Sequence, residues 1–168
     1  SLESLGAIFV KEITDAPENS TIIFSAHGVP KSVFVNAKKR KMLSIDATCP
    51  LVTKVHNETI KHFNSQRKIL LIGHKNHPEV IGTMGQVPDG NVILIENLNE
   101  AKNIYIEDTN NLAYATQTTL SVDDTKEIIE VLKQRFPEIK GPSTEDICYA
   151  TTNRPVSYTQ LRAHETGG

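Results

Sequence analysis

The alternation of short β-rich apolar runs with helix-like segments constrains the fold of this sequence more than any other feature. Five runs have the length and composition of strands, at 21–25, 42–45, 68–72, 91–95 and 111–115. Apolar residues recur at roughly helical spacing in the segments that begin near Val52 and after Ser121. Strands that alternate with helices are typical of parallel sheets covered by crossover helices. The sequence therefore predicts an α/β fold of small parallel sheets flanked by helices.

Composition and charge restrict the class of protein. Of the 168 residues 38% are hydrophobic, and no apolar run is long enough to cross a bilayer, so we expect no membrane role. The formal net charge of -2 gives no general electrostatic reason to bind nucleic acid. The first residues hold no basic segment followed by an apolar stretch, so we expect a cytoplasmic setting.

Polar residues with chemical potential follow four of the predicted strands. His27 comes after the first strand, Cys49 after the second, His77 and Glu79 after the third, and Thr118 after the fifth. Ligands of open α/β sheets bind beyond the carboxyl ends of the strands, where helix N-termini also present free N–H groups to anions. The sequence therefore predicts a ligand site at this edge of the fold.

The two cysteines, Cys49 and Cys148, are far apart in the sequence. Cys49 precedes a proline and a predicted helix, where N–H groups and the helix dipole stabilise a thiolate, and Cys148 occupies a comparable position. Neither belongs to a C-x-x-C pair, so a zinc finger or a thioredoxin-like site is disfavoured. The residues alone leave open a metal or redox site and a pair of buried free thiols.

The other candidates have a functional and a structural interpretation. His27 and His77 suit hydrogen bonding to phosphate from turns at a pocket rim, or each imidazole caps a local backbone group. Glu79 is a general acid or an ordinary carboxylate at a helix N-terminus. Thr118 donates a hydrogen bond to a ligand or to the backbone. We expect two further histidines, His56 and His62, to face solvent beside charged neighbours.

Read together, these segments resemble the LytB-type reductase family. The resemblance extends over residues 5–154, in the family's order and spacing. The motifs that carry it are FSAHGV (24–29), DATCPLVTKVH (46–56), IGH (72–74), HPEV (77–80), GTMGQ (82–86), TQTTLSVDDT (116–125) and DICYATTNR (146–154). So many motifs in order are far more specific than a single short pattern.

The resemblance implies the reductive conversion of 4-hydroxy-3-methylbut-2-enyl diphosphate into isopentenyl and dimethylallyl diphosphates, with ferredoxin or flavodoxin as electron donor. It implies a 4Fe-4S cluster held by three cysteines, with Cys49 and Cys148 as two of the ligands. His27 and His77 would bind the diphosphate. Glu79 would protonate the leaving hydroxyl, with Thr118 in the hydrogen-bond path and Gln117 as a weaker candidate for organising it.

The resemblance also implies a three-lobed architecture, of which this chain would be an internal fragment. Residues 1–49 would end the first lobe, 50–144 form the second, and 145–154 open the third. Residues 155–168 resemble a translated sequencing adapter, which predicts a non-native tail; the alternative is a genuine polar extension. The family's first cluster cysteine and a further histidine lie upstream, and its Ser and Asn ligands downstream, so we expect no turnover from this chain alone.

Two other functions remain open at this point. The chain could be a non-catalytic α/β module that binds a phosphorylated small molecule through His27, His77 and backbone N–H groups. It could also be a relic of gene truncation. Colour separates the module from the reductase, because only a protein that carries an iron-sulfur cluster is brown.

Overall fold

The computed structural model describes residues 2–142 of the chain, an alternation of strands and helices after two short 3-10 turns at Glu3–Leu5 and Ile13–Asp15. The strands are β1 Thr21–Phe24, β2 Leu43–Asp46, β3 Lys68–Ile72, β4 Val92–Ile95 and β5 Leu112–Thr116. The helices are α1 Lys31–Lys39, α2 Pro50–Asn64, α3 Pro78–Met84, α4 Leu98–Asn103 and α5 Val122–Arg135. All five predicted strands are found, each within one residue of its predicted bounds.

The strands form two parallel sheets. In the smaller sheet β1 pairs with β2, and in the larger sheet the order is β4-β3-β5. Parallel pairing requires a crossover between successive strands, and helices supply these connections. The predicted α/β fold with small parallel sheets flanked by helices is confirmed. Within residues 2–142 no helix has both the length and the apolar character to span a membrane.

The larger sheet is buried on both faces because its strands alternate between two apolar layers. Leu70, Ile72, Leu112 and Tyr114 pack with Leu132 and other residues of α4 and α5. On the opposite face lie residues from β3, β4 and β5 with α2 and α3, namely Ile69, Leu71, Val92, Ala115, Val55 and Val80. A strand that is buried on both faces has a continuous run of apolar residues, and this run is why β3 could be predicted from the sequence.

Within the part of the chain that the structure describes, the smaller sheet is covered on one face only. Phe24 packs with Ala37 of α1, Met42 and Ile13. The side chains on the other face are open to solvent, with Ile23 and Leu43 each 65% exposed. The residues of β1 and β2 thus form a sheet with an apolar layer on one side and exposed apolar side chains on the other.

A close contact joins the two sheets. The N–H of Lys31, at the start of α1, donates to the carbonyl of Gly85 at the end of α3 (3.0 Å), and the Gln86 amide donates to the carbonyl of Val29 (2.9 Å). A methyl group added to Gly85 would lie 2.5 Å from Cβ of Pro30. Helix α3 of the larger unit is therefore seated directly on residues 29–31 of the smaller one.

Two predictions about local structure need correction. His56 and His62 were expected to face solvent, but both are buried, at 8% and 9% exposure. His56 follows Val52 by four residues and His62 follows Val55 by seven, so both histidines lie on the apolar side of α2. Their position on the helix buries them although they are polar. Ser121 occupies the N-cap of α5, but its side chain makes no cap hydrogen bond.

Candidate active site

The predicted site residues lie where strands end and the next segment begins. His27 follows β1, Cys49 is the N-cap of α2 after β2, and His77 is the N-cap of α3 after β3. Gln117 and Thr118 follow β5 directly. The parallel order β4-β3-β5 places the ends of β3 and β5 side by side, and the joint between the sheets brings β1 towards them.

Glu79 is the most deeply buried ionisable group of this region, at 1% exposure. Its carboxylate accepts a hydrogen bond from the backbone N–H of Thr118 (2.6 Å) and one from the Thr118 hydroxyl (3.2 Å). Burial raises the pKa of Glu79, while the two bonds from Thr118 and the proximity of His27 act in the opposite direction. Because burial dominates, the carboxyl holds its proton to higher pH than an ordinary glutamate.

His27 and His77 face each other across the joint between the sheets. Their ring centroids are 5.6 Å apart and the rings are nearly perpendicular. Burial and the neighbouring His27 and His74 lower the pKa of His77, so its ring tends to be neutral. Its Nδ1 accepts the backbone N–H of Glu79 (3.2 Å). The neutral tautomer must then carry its hydrogen on Nε2, which is free to donate to an anionic oxygen.

Of the two interpretations of His77, the structure shows the capping of a backbone group, and phosphate binding stays a prediction. The imidazole caps a local backbone group through Nδ1, and the same bond orients Nε2 as a donor. His27 is exposed and lies 3.4 Å, through Nδ1, from the hydroxyl of Ser25. Two imidazoles at this separation can engage neighbouring phosphate oxygens of one ligand.

Gln117 has a structural task that the sequence did not reveal. Its side-chain oxygen accepts the backbone N–H of His74 (3.0 Å), and its amide donates to the hydroxyl of Thr119 (2.7 Å). The backbone N–H of Gln117 also donates to the carbonyl of Ile72 in β3 (2.8 Å). Gln117 therefore ties the loop after β5 to the loop that leads to His77.

Cys49 is half-buried and holds a free thiol. Its backbone N–H donates to the carbonyl of Ala26 (2.9 Å), which places the start of α2 next to the His27 turn. Cys148 lies outside the described residues. Within residues 2–142 no group of three or more His, Cys, Asp or Glu side chains is placed to hold a metal ion.

Sequence reasoning missed the residues that shape the site without obvious chemistry. Gly28 and Gly82 approach each other so closely that a methyl on Gly82 would lie 3.2 Å from the carbonyl of Gly28. His56 packs against Gly28, and Thr119 completes the network of Gln117. The position of His56 on the apolar stripe of α2 was the one signal available.

The fold and site define an α/β protein in which two imidazoles face each other beside a buried carboxyl whose pKa is raised. The family model described as LytB protein matches residues 1–166, and the chain belongs to this family. That match includes most of residues 155–168, which lie outside the described residues. The non-native origin of this tail stays a prediction.

Named relatives agree with this assignment. The chain is 60% identical over 162 residues to 4-hydroxy-3-methylbut-2-enyl diphosphate reductase 1 of Bradyrhizobium diazoefficiens, covering 95% of the chain and 50% of the relative. It is also 60% identical to the reductase of Phenylobacterium zucineum, covering 96% of the chain and 52% of that protein. The chain thus spans about half the length of the curated relatives it matches.

Solved structures give the same result. The E-1-hydroxy-2-methyl-but-2-enyl-4-diphosphate reductase of Plasmodium falciparum superposes with a TM-score of 0.86 at 42% identity, over 95% of this chain and 50% of that one. A second structure, described as the terminal enzyme of the non-mevalonate pathway, superposes with a TM-score of 0.75 at 31% identity, over 95% of this chain and 56% of that one.

Proposed function

We propose that the full-length protein carrying this chain reduces 4-hydroxy-3-methylbut-2-enyl diphosphate to isopentenyl and dimethylallyl diphosphates, with loss of the hydroxyl as water. The observation that carries this proposal is the buried carboxyl of Glu79, which accepts two hydrogen bonds from Thr118. Glu79 lies in the first turn of α3, the short helix whose N-cap is His77. An allylic diphosphate needs an anion site next to a proton donor, and these side chains supply both.

His27 and His77 bind the diphosphate group. Nε2 of His77 is directed outward as a donor because Nδ1 is engaged by the Glu79 N–H. His27 is exposed and its ring lies 5.6 Å from that of His77, so each can donate to a different oxygen of the ligand. Hydrogen bonds to an ionised acceptor are about twice as strong as neutral ones, so this pair supplies much of the binding energy.

Glu79 delivers the proton to the leaving hydroxyl. The raised pKa of the carboxyl keeps the acid form available to higher pH than in an ordinary glutamate, in the direction that general acid catalysis requires. Thr118 fixes both carboxyl oxygens, so the proton is held in one orientation. Gln117 keeps the loops after β3 and β5 together and thereby sets the distance between Glu79 and the diphosphate site.

A 4Fe-4S cluster would be held by Cys49 and Cys148 with a third cysteine. Cys49 suits this role, since its thiol is free and half-buried at a helix N-cap beside the His27 turn. Residues 2–142 contain this one cysteine, and iron-sulfur clusters take several cysteine ligands. A cluster bound there would relay the two electrons of the reduction, one at a time, from an external donor, for which ferredoxin or flavodoxin is expected in a cytoplasmic setting.

The three-lobed organisation belongs to the same proposal. A first lobe that ends at residue 49 and a second lobe at 50–144 are consistent with the separation of the two sheets between β2 and β3, while residues 145–154, the predicted start of the third lobe, lie outside the described residues. Cys49 then lies at the boundary of the first two lobes. Cys148 falls at the second boundary, outside the described residues.

The test compares the full-length wild type, purified without oxygen, with Glu79→Gln and a control, Glu127→Gln, whose carboxylate is exposed on α5. Turnover by Glu79→Gln should fall by about 10²–10⁴-fold, the usual contribution of general acid catalysis, with the brown colour and substrate affinity retained. Full activity of Glu79→Gln would exclude the proton-donor role. A colourless wild type that binds diphosphate without turnover would favour the non-catalytic module.

A further inference from the structure

His56 occupies an unusual place on α2. It lies seven residues after Cys49, is only 8% exposed, and its Nε2 atom finds no hydrogen-bond partner among residues 2–142. A buried imidazole nitrogen without a partner costs free energy, which the packing of the ring must offset. Burial also lowers the pKa of His56, which keeps the ring neutral and able to pack.

The ring of His56 is packed against the backbone of Gly28. A methyl group at Gly28 would lie 2.6 Å from Cε1 of His56 and 3.2 Å from Cγ1 of Val52. Gly28 also has a φ of +73°, which a residue with a Cβ adopts at a cost. Glycine is therefore required here both by the backbone conformation and by the close approach of the His56 ring.

Gly28 closes the turn that carries His27. Its N–H donates to the carbonyl of Ser25 (3.0 Å), and the carbonyl of Ala26 accepts the N–H of Cys49 (2.9 Å). Helix α3 approaches the same turn from the other side through Gly82. The His27 turn thus contacts both the helix that begins after Cys49 and the helix that begins after His77, and the His56 ring and Val52 lie closest to Gly28 in this turn.

On the basis of the proposed function, we propose that His56 is a positioning residue, which holds the His27 turn on α2 so that His27 and His77 grip the same diphosphate. His56 touches neither the ligand nor the reacting atoms. Removing its ring frees the turn and loses the alignment of one imidazole donor. The affinity for diphosphate should fall about tenfold, the equivalent of one hydrogen bond to a charged group.

The experiment measures the dissociation constant of inorganic diphosphate for the full-length protein by calorimetry. His56→Ala should bind about tenfold more weakly, and His56→Phe, which keeps a ring beneath Gly28, should recover most of the loss. Gly28→Ala should also bind more weakly because its methyl clashes with His56. In the double variant His56→Ala/Gly28→Ala the clash is absent, so the combined loss should be smaller than the product of the single losses.

Gly90→Ala is the matched control. Gly90 has a similar φ of +81°, but a methyl group added there would meet nothing within 4 Å among the described residues, so this variant carries the backbone strain without the clash and should bind like the wild type. The signals of the His27 imidazole are then followed by NMR without ligand. They should move in His56→Ala and stay in place in Gly90→Ala.

The outcomes separate the positioning role from the proposed function. If His56→Ala binds diphosphate like the wild type and its His27 signals are unchanged, the positioning role is wrong, even where the melting temperature falls. If the wild type itself does not bind diphosphate, the proposed function fails. The His27 signals then decide the positioning role by themselves.

Discussion

The contact between Gly85 and Pro30 predicts a specific cost for Gly85→Ala. The added methyl would lie 2.5 Å from Cβ and 2.9 Å from Cα of Pro30. Ordinary contact begins at 3.4 Å, so α3 and the start of α1 must separate by about 0.9 Å. Pro30 is rigid and part of the contact is backbone, so a rotamer change cannot absorb this displacement. The hydrogen bond from Lys31 to Gly85 is strained by the same movement.

The magnitude follows from three terms. Overpacking of this kind costs about 1–3 kcal/mol, and a weakened backbone hydrogen bond costs about 0.5–1.5 kcal/mol. Gly85 has a φ of -77°, which alanine adopts freely, so the smaller entropy of the unfolded chain returns about 0.4–1 kcal/mol. The free energy of unfolding should fall by about 0.5–4 kcal/mol, with a melting temperature lower by about 2–4 °C for each kcal/mol.

Because the same contact sets the separation of His27 and His77, Gly85→Ala should also weaken binding of inorganic diphosphate. Urea denaturation and calorimetry of the full-length protein measure the two effects. Gly90→Ala should lose about 1 kcal/mol from its positive φ and keep its affinity. A Gly85→Ala protein with wild-type stability and affinity would refute the rigid contact between the two sheets.

Three further predictions concern protonation. Glu79 has a raised pKa, so its contribution to stability is full below pH 4.5 and is lost as the pH rises through its folded pKa. Between about pH 4 and 8 the urea midpoint of Glu79→Gln should therefore rise relative to that of the wild type as the pH increases. The opposite trend would contradict this. Thr118→Val removes one donor to the carboxylate and should move the alkaline limb of the kcat/KM profile to higher pH; a move to lower pH counts against the role of Thr118. The pKa of His62 is lowered, chiefly by burial, so its contribution to stability is present above pH 6.5 and is lost on acidification. His62→Leu should therefore lose less stability than the wild type between about pH 7 and 5. An equal loss in both proteins would exclude His62 as the group responsible.

The sequence predicted the sheets well because strands such as β3 are short apolar runs bounded by polar turns. It placed His27, Cys49, His77, Glu79 and Thr118 after strands for the same reason. Parallel pairing then brought the ends of β3 and β5 together, which composition and spacing could not show in detail.

The close approaches in the site were beyond the sequence because they depend on tertiary distances. The contact of His56 with Gly28 and that of Gly85 with Pro30 join residues 28 and 55 positions apart in the chain. The raised pKa of Glu79 likewise follows from burial by distant segments. The prediction that His56 faces solvent was wrong because its place on the apolar side of α2, and not its polarity, determines its burial.

The uncovered face of the smaller sheet has a practical consequence for work with this chain. Ile23, Leu43 and Ile45 are exposed side by side on β1 and β2, a two-stranded sheet of the kind that offers a template for another strand. Residues 1–168 expressed alone should therefore self-associate as their concentration rises. Replacing Ile23 and Leu43 with lysine or threonine would give a more soluble sample for spectroscopy, with the helices that carry His77 and Glu79 untouched.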